Sequence, residues 1–527
     1  MSDLRAHDWI RHHARRRPQK CAIVDYETGS ELTYGMMDRQ VDNCVSFLVR
    51  EHNIQAGDRV SLLAQNCPEV FVLQAACARL RAIFLPLNWR LAPPELDYIL
   101  SDATPRLLFS DQRFLNTAEM ICANRSGCVV AAMGPGSNFQ ALLGGDERVE
   151  GLSETTLSDI SHILYTSGTT GHPKGAMLSH GQGYLQAVGV AAEYGVTHAS
   201  VGLTYTPTFH VSGLFLFAHP SLLFGGTIYL MRQFDAAICL KLMTDAGVGV
   251  THTLAIPTNL LMIQNLPEFK EARFGGLVIA AGGSPVPTTL IETFAERGAK
   301  IPQLWGMTEL CGMSTSLPAE QALEKAGSCG PPLMNIDIGI IDANDNHVET
   351  PDTVGEIVAR GPMVMRGYWG LGDKNGEHFI DGGWFKTGDA GKIDSEGYVT
   401  IVGRWKDMYI SGGENVYPAE VEEVIYQIPE VNEAAVVGVT HEKWGETGRA
   451  FIVLKNGVDL SEADLIAYCR TKLARYKVPK SAVFVKELPH SANGKILKHK
   501  LVHGPDKVPV SGGESEHSRS VESIEEI

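Results

Sequence analysis

The sequence has no Cys-x-x-Cys pair. Its 10 cysteines are scattered over 527 residues, which excludes a zinc-ribbon or disulfide framework and fits reduced thiols in a cytoplasmic compartment. It also has less positive than negative charge: Lys and Arg number 45 against 61 Asp and Glu, a formal charge of −16. Nucleic acid and anionic membrane are therefore excluded as main partners, and an anionic ligand must be caught by local geometry. The N-terminus, MSDLRAHDWIRHHARRRPQK, is basic but has no apolar h-region and carries Asp3 and Asp8, so it reads as an exposed amphipathic helix. No Asp, Glu, Lys or Arg occurs between Glu193 and Arg232. Pro220, Gly225-Gly226, His210 and His219 break that stretch, so Val211 to Met231 reads as a core helix followed by a core strand rather than as a membrane span. No internal repeat is present.

What is there is a chain 44% apolar and 20% charged, enough to bury a large core. At roughly 150 residues per domain, two to four domains are expected. Short β-rich runs at 59–64, 162–166, 226–231 and 276–283 alternate with segments of helical period, the signature of a layered α/β fold. Near 335–400 the texture changes to short strands with close turns, an appended small β-barrel-like unit. Residues 418–505 read as helix, strand, strand, helix, strand, a compact α+β unit. Residues 505–527 form an acidic tail too polar to fold alone.

The most informative stretch is Tyr165-Thr-Ser-Gly-Thr-Thr-Gly-His-Pro-Lys-Gly175, read as following an apolar strand and preceding a helix. Backbone N–H groups, hydroxyls and one lysine suit a polyphosphate. This is not a Walker A loop, because Pro173 precedes Lys174 and Gly175 follows it, so the magnesium-binding hydroxyl is missing. A plain surface turn needs one or two glycines, not three glycines with four hydroxyl residues and a lysine.

With Trp305-Gly-Met-Thr-Glu309, Thr387-Gly-Asp389, Gly403-Arg-Trp-Lys-Asp-Met408, Ser411-Gly-Gly-Glu-Asn415 and Gly494-Lys495 in the same order, the chain resembles the adenylate-forming enzymes. That family comprises acyl- and aryl-CoA synthetases, luciferases and peptide-synthetase adenylation domains. The resemblance implies that Thr166, Ser167, Gly168, Thr169, Thr170, Gly171 and Lys174 hold the β- and γ-phosphates of ATP. It implies that Glu309 is a ligand of Mg2+ and that Thr308 contacts the α-phosphate. Trp305, where the family usually carries tyrosine, and Gly306 would face adenine; Gly282, Gly283 and Ser284 would line the adenine and acyl pocket. Asp389 and Arg404 would bind the ribose, and His210 would border the carboxylate end of the acyl pocket.

The family builds two active sites by rotating a small C-terminal domain. The boundaries implied here are a large domain 1–403, a hinge 404–407 at Lys406, and a mobile domain 408–504. Lys495 would bridge the attacking carboxylate and the α-phosphate during adenylation, although His490 and Ser491 depart from the usual Pro-Arg-Thr context. Gly412 and Gly413 would pack against pantetheine, and Trp444, Tyr476, Lys477 and Lys480 are candidates for the CoA nucleotide. The implied activity is an ATP-, Mg2+- and CoA-dependent acid:CoA ligase. The alternatives are another adenylate-forming activity, or a catalytically silent nucleotide-binding regulator.

Overall fold

Alternation of short strands with helices builds two predominantly parallel sheets, and the loops at their strand ends carry most of the candidate site. In the computed structural model, the described residues are 4–502 except 124, 126, 135, 138, 140–142, 146, 167–172, 412–413, 443 and 491–495. The chain divides into two units, Met1–Thr387 with Gly391–Ile401, and Gly388–Ala390 with Val402–Ile527.

The first sheet has six strands in the order Val129–Met133, Leu107–Asp111, Arg59–Leu63, Ile83–Pro86, Ile160–Thr166, Lys174–Ser179. Its first five strands are parallel and the last is antiparallel. The second has eight, in the order Gly312–Leu317, Gln303–Met307, Val278–Gly282, His252–Ala255, Val201–Thr204, Thr227–Leu230, Cys21–Asp25, Glu31–Thr33. Its two edge strands run antiparallel to the rest. Runs such as Val278–Gly282 are buried almost throughout, as strands covered on both faces must be.

Local chemistry sets the helix limits. Ser179 and Gln182 form a reciprocal capping box that starts helix His180–Tyr194, and Gly195, at φ 71°, ends it with its N–H on Ala191 O. The uncharged stretch forms a π-helical turn Ser212–Leu216, a helix Ala218–Phe224 and the core strand Thr227–Leu230, as its breakers predict. The N-terminal helix Trp9–Arg16 is less exposed than expected: it buries Ile10 and His13, and Arg11 pairs with Asp38 at 3.3 Å.

Asp337–Ile341, Gly355–Arg360, Phe379–Ile380, Trp384–Ile393 and Val399–Arg404 make the third sheet. In the second unit, Tyr409–Ser411, Glu414–Val416, Val431–His441, Gly445–Leu454 and Ser481–Phe484 form a sheet covered by helices Pro418–Ile425 and Glu462–Lys472. Among the described residues no helix is long and apolar enough to cross a membrane.

One expectation is corrected. The phosphate-loop segment is not followed directly by a helix, because Ile160–Thr166 and Lys174–Ser179 pair antiparallel, with Thr166 opposite Lys174. Thr166 and Lys174 are therefore the facing ends of two paired strands. Lys174–Ser179 has four of its six residues buried, and the capping box delays the helix to His180.

Candidate active site

Two ends of the candidate phosphate loop are described, Thr166 and Lys174; Ser167, Gly168, Thr169, Thr170 and Gly171 lie outside the described residues. Thr166 ends its strand with Oγ1 donating to Glu309 Oε1 at 3.2 Å. Glu309 sits in the short 3-10 turn Thr308–Leu310 and is only 5% exposed. Its backbone carbonyl accepts from Met365 N at 2.7 Å, and the Tyr368 hydroxyl donates to the same Oε1 at 2.9 Å. Both donors converge on one oxygen, and no hydrogen bond from a described residue ends on Oε2.

That asymmetry is the fit expected for a hard divalent cation. Among the described residues no group of three or more His, Cys, Asp or Glu side chains gathers to hold a metal. A single oriented carboxylate suits Mg2+, which keeps several waters and shares phosphate oxygens with one or two carboxylates. Glu309 is the residue that would hold it.

Lys174 Nζ lies 3.3 Å from His378 Nε2 and 5.2 Å from the Tyr368 ring centroid. A lysine ammonium has no acceptor, so the imidazole nitrogen accepts. Asn375 fixes the backbone of Tyr368 from both sides, accepting from its N–H at 2.7 Å and donating to its carbonyl at 3.1 Å. Tyr368, His378 and Asn375 were missed in the sequence; only their place between the WGMTE and TGD motifs marked the region.

Backbone packing explains the glycines. A Cβ on Gly306 would lie 1.7 Å from Gly312 O, and one on Gly282 would lie 2.6 Å from Leu304 O. Trp305 is buried on the strand Gln303–Met307, and Thr308 is buried beside Glu309. Gly283 and Ser284 are exposed just past the strand end at Gly282. His210 belongs to a tight loop, where its Nδ1 accepts from Ser212 N at 3.3 Å and faces Ser212 Oγ at 3.0 Å. The acceptor role at Nδ1 leaves the proton on Nε2.

In the second unit Asp389 is buried and pairs with Arg404 at 2.8 Å. The two residues assigned to the ribose are thus adjacent. Lys406 is exposed in the short turn Trp405–Asp407. Lys477 already binds Glu420, at 2.6 and 2.8 Å to its two carboxylate oxygens, and lies 5.7 Å from the ring of Tyr476. Trp444 and Lys480 are exposed. Gly412, Gly413 and Lys495 lie outside the described residues, as does the tail 505–527.

The site's neighbourhood agrees with the comparisons. The AMP-binding enzyme family matches residues 10–369, and the AMP-binding enzyme C-terminal domain matches residues 420–495. The chain is 37% identical over 491 residues to a feruloyl-CoA synthase of an Amycolatopsis species, covering 93% of this chain and 97% of that one. It is 36% identical over 499 residues to the long-chain-fatty-acid–CoA ligase FadD13 of Mycobacterium tuberculosis, covering 93% and 96%. Among solved structures it is similar to ATP-bound MatB from Rhodopseudomonas palustris, with a TM-score of 0.86, 31% identity, and 94% and 98% of the two chains covered. It is also similar to the o-succinylbenzoate CoA synthetase MenE of Bacillus subtilis in complex with ATP and a magnesium ion, with a TM-score of 0.84, 31% identity, and 94% and 99% covered. Motif order, fold and full-length similarity coincide: the chain belongs to the AMP-binding enzyme family, in its acyl-CoA synthetase branch, and is an acid:CoA ligase.

Proposed function

We propose that the chain joins a carboxylic acid to CoA in two half-reactions that use the residues described above in separate roles. In the first, the carboxylate oxygen attacks the α-phosphorus of ATP, and the bond to the β-phosphate breaks, giving acyl-adenylate and pyrophosphate. In the second, the CoA thiol attacks the acyl carbon and AMP leaves. The observation that carries this reading is Glu309, whose two side-chain hydrogen bonds to described residues both end on Oε1. Bound Mg2+ neutralises phosphate charge.

Thr166, Ser167, Gly168, Thr169, Thr170, Gly171 and Lys174 hold the leaving pyrophosphate, and Thr308 contacts the α-phosphate. Trp305, Gly306, Gly282, Gly283 and Ser284 receive the adenine and acyl groups, and Asp389 with Arg404 binds the ribose. His210 contacts the acid. Lys495 acts in the first half-reaction, Lys406 is the hinge between half-reactions, and Gly412, Gly413, Trp444, Tyr476, Lys477 and Lys480 receive CoA. The ion pair to Glu420 makes Lys477 the weakest of these, because a phosphate must displace a carboxylate already bound to its ammonium.

Related chains of nearly equal identity are named for feruloyl and for long-chain fatty acyl substrates, so the acid is set by pocket detail rather than by overall similarity. We place the enzyme in the cytoplasm, where its 10 free cysteines stay reduced. The test is a panel of aromatic and aliphatic acids assayed for pyrophosphate exchange without CoA and for AMP release with it. An acid that supports both fits the ligase; binding of ATP with neither reaction for any acid would mark a silent regulator.

A further inference from the structure

Asn66 lies just past the strand Arg59–Leu63 of the six-stranded sheet and is 2% exposed. Its side chain reaches the ends of two strands in the other sheet. Nδ2 donates to Thr206 O and to Met231 O, each at 3.0 Å. Oδ1 accepts from Thr208 N at 2.9 Å and from Thr208 Oγ1 at 3.0 Å. Both amide protons and both lone pairs are thereby used, the full capacity of the group.

The anchor is itself held. Arg232 Nη1 donates to the carbonyl of Asn66 at 2.5 Å, while Nη2 pairs at 2.8 Å with Asp25, which is 3% exposed. Beyond Thr208 the chain turns sharply, with His210 N on Pro207 O and Gly213 N on His210 O, both at 3.1 Å. A Cβ on Gly213 would sit 2.2 Å from Pro207 O. The loop is therefore pinned by Asn66 at its start and by backbone-to-backbone packing at its end. His210 lies between the two.

From this we infer that Asn66 is the positioning residue for His210, holding the Thr206–His210 segment so that the imidazole meets the acid substrate. The inference rests on the proposed role of His210 in acid binding. Asn66 contributes through loop geometry and does not touch substrate. A positioning defect of this kind acts on the acid and leaves nucleotide binding alone, because the Thr166, Lys174 and Glu309 contacts do not involve Asn66.

The test measures KM for the acid and for ATP separately, by pyrophosphate exchange, in Asn66→Ala, Thr208→Val, His210→Ala and the Asn66→Ala/His210→Ala double variant, with a thermal melt of each. The expected result is a rise in acid KM of about tenfold or more in Asn66→Ala, with ATP KM within about twofold. Thr208→Val, which loses one of the four bonds, should show a smaller rise of the same kind and decides the matter if Asn66→Ala does not fold. In the His210→Ala background the Asn66 effect should shrink to about twofold or less. Fully additive effects, or acid and ATP KM values that rise together, would overturn the positioning role. Exchange by the unaltered enzyme with an acid KM that His210→Ala raises but Asn66→Ala and Thr208→Val leave unmoved would sink the Asn66 inference alone. Absence of exchange by the unaltered enzyme with every acid would instead sink the ligase reading, and with it this inference.

Discussion

The hydroxyl of Tyr368 donates to Oε1 of Glu309 at 2.9 Å across 59 residues of sequence. With Thr166 on the same oxygen, it holds the carboxylate through Oε1, and no described donor bonds to Oε2. The ring of Tyr368 also sits beneath Lys174, so one side chain touches both the candidate cation ligand and the candidate phosphate ligand.

Tyr368→Phe keeps the ring and removes only the hydroxyl. A hydrogen bond to a charged group is worth about 1.5–3 kcal/mol, so pyrophosphate exchange should fall roughly tenfold to a hundredfold, with a higher Mg2+ concentration needed for half-maximal rate. Glu309→Gln should depress exchange more strongly while ATP still binds. A Mg2+ titration of exchange, with Mn2+ retention in the presence of ATP followed by electron paramagnetic resonance, checks both. Unchanged metal dependence in either variant removes that residue from the cation's surroundings.

If Lys495 acts in the first half-reaction as proposed, Lys495→Ala removes one positive charge from the adenylation step. A preorganised contact of this kind is worth about 2.7–4 kcal/mol, so exchange should fall roughly a hundredfold to a thousandfold. Thioester formation from supplied acyl-adenylate and CoA should stay near the unaltered rate. Equal loss in both half-reactions, measured side by side, would make the lysine structural.

Lys406→Pro restricts φ at an exposed position. Exchange should survive better than thioester formation if the chain must change conformation there between half-reactions. Stopped-flow of the second half-reaction against steady-state exchange reads the difference; parallel decline in a folded variant counts against a hinge at this residue.

Three imidazoles give a pH dependence. Burial holds the His219 pKa down at about 3, with His180 adding repulsion, and burial holds His180 at about 4. His162, buried and hydrogen-bonded through Gln74 like His219, is pushed well below its ordinary value. All three are neutral when folded and titrate near 6.5 when unfolded. The unfolded chain binds the extra protons, so stability is full above about pH 6.5 and declines as pH falls toward 4. His219→Gln should flatten the change in urea-unfolding free energy between pH 7 and 5 by close to one proton's worth; an unaltered slope would show that His219 is not held neutral.

Much of the candidate site could be read from the sequence because its motifs are local. Trp305 to Glu309 brings adenine, phosphate and metal candidates into five consecutive residues, and the breakers in Val211–Met231 announced their own helix and strand. The pairing of Thr166 with Lys174 was not legible: Lys174–Ser179 is a strand only because it pairs with Ile160–Thr166, and its glycine, lysine and alanine carry little strand preference of their own. Tyr368, His378 and Asn66 escaped for a related reason. Each reaches its partner across a long separation in sequence, and no spacing rule encodes a contact made by tertiary folding.

The eight-stranded sheet also carries a timetable. Cys21–Asp25 lies between Glu31–Thr33 and Thr227–Leu230, with Ile23 in register with Ile228. During synthesis at about 5–20 residues per second, the strand at the start of the chain waits on the order of 10–40 s for its parallel neighbour to be made. Until then the apolar run Ala22-Ile23 has only the short Glu31–Thr33 strand beside it. The nascent chain therefore passes through a long interval with an unpaired strand edge, when a chaperone that covers such edges would have the most to protect.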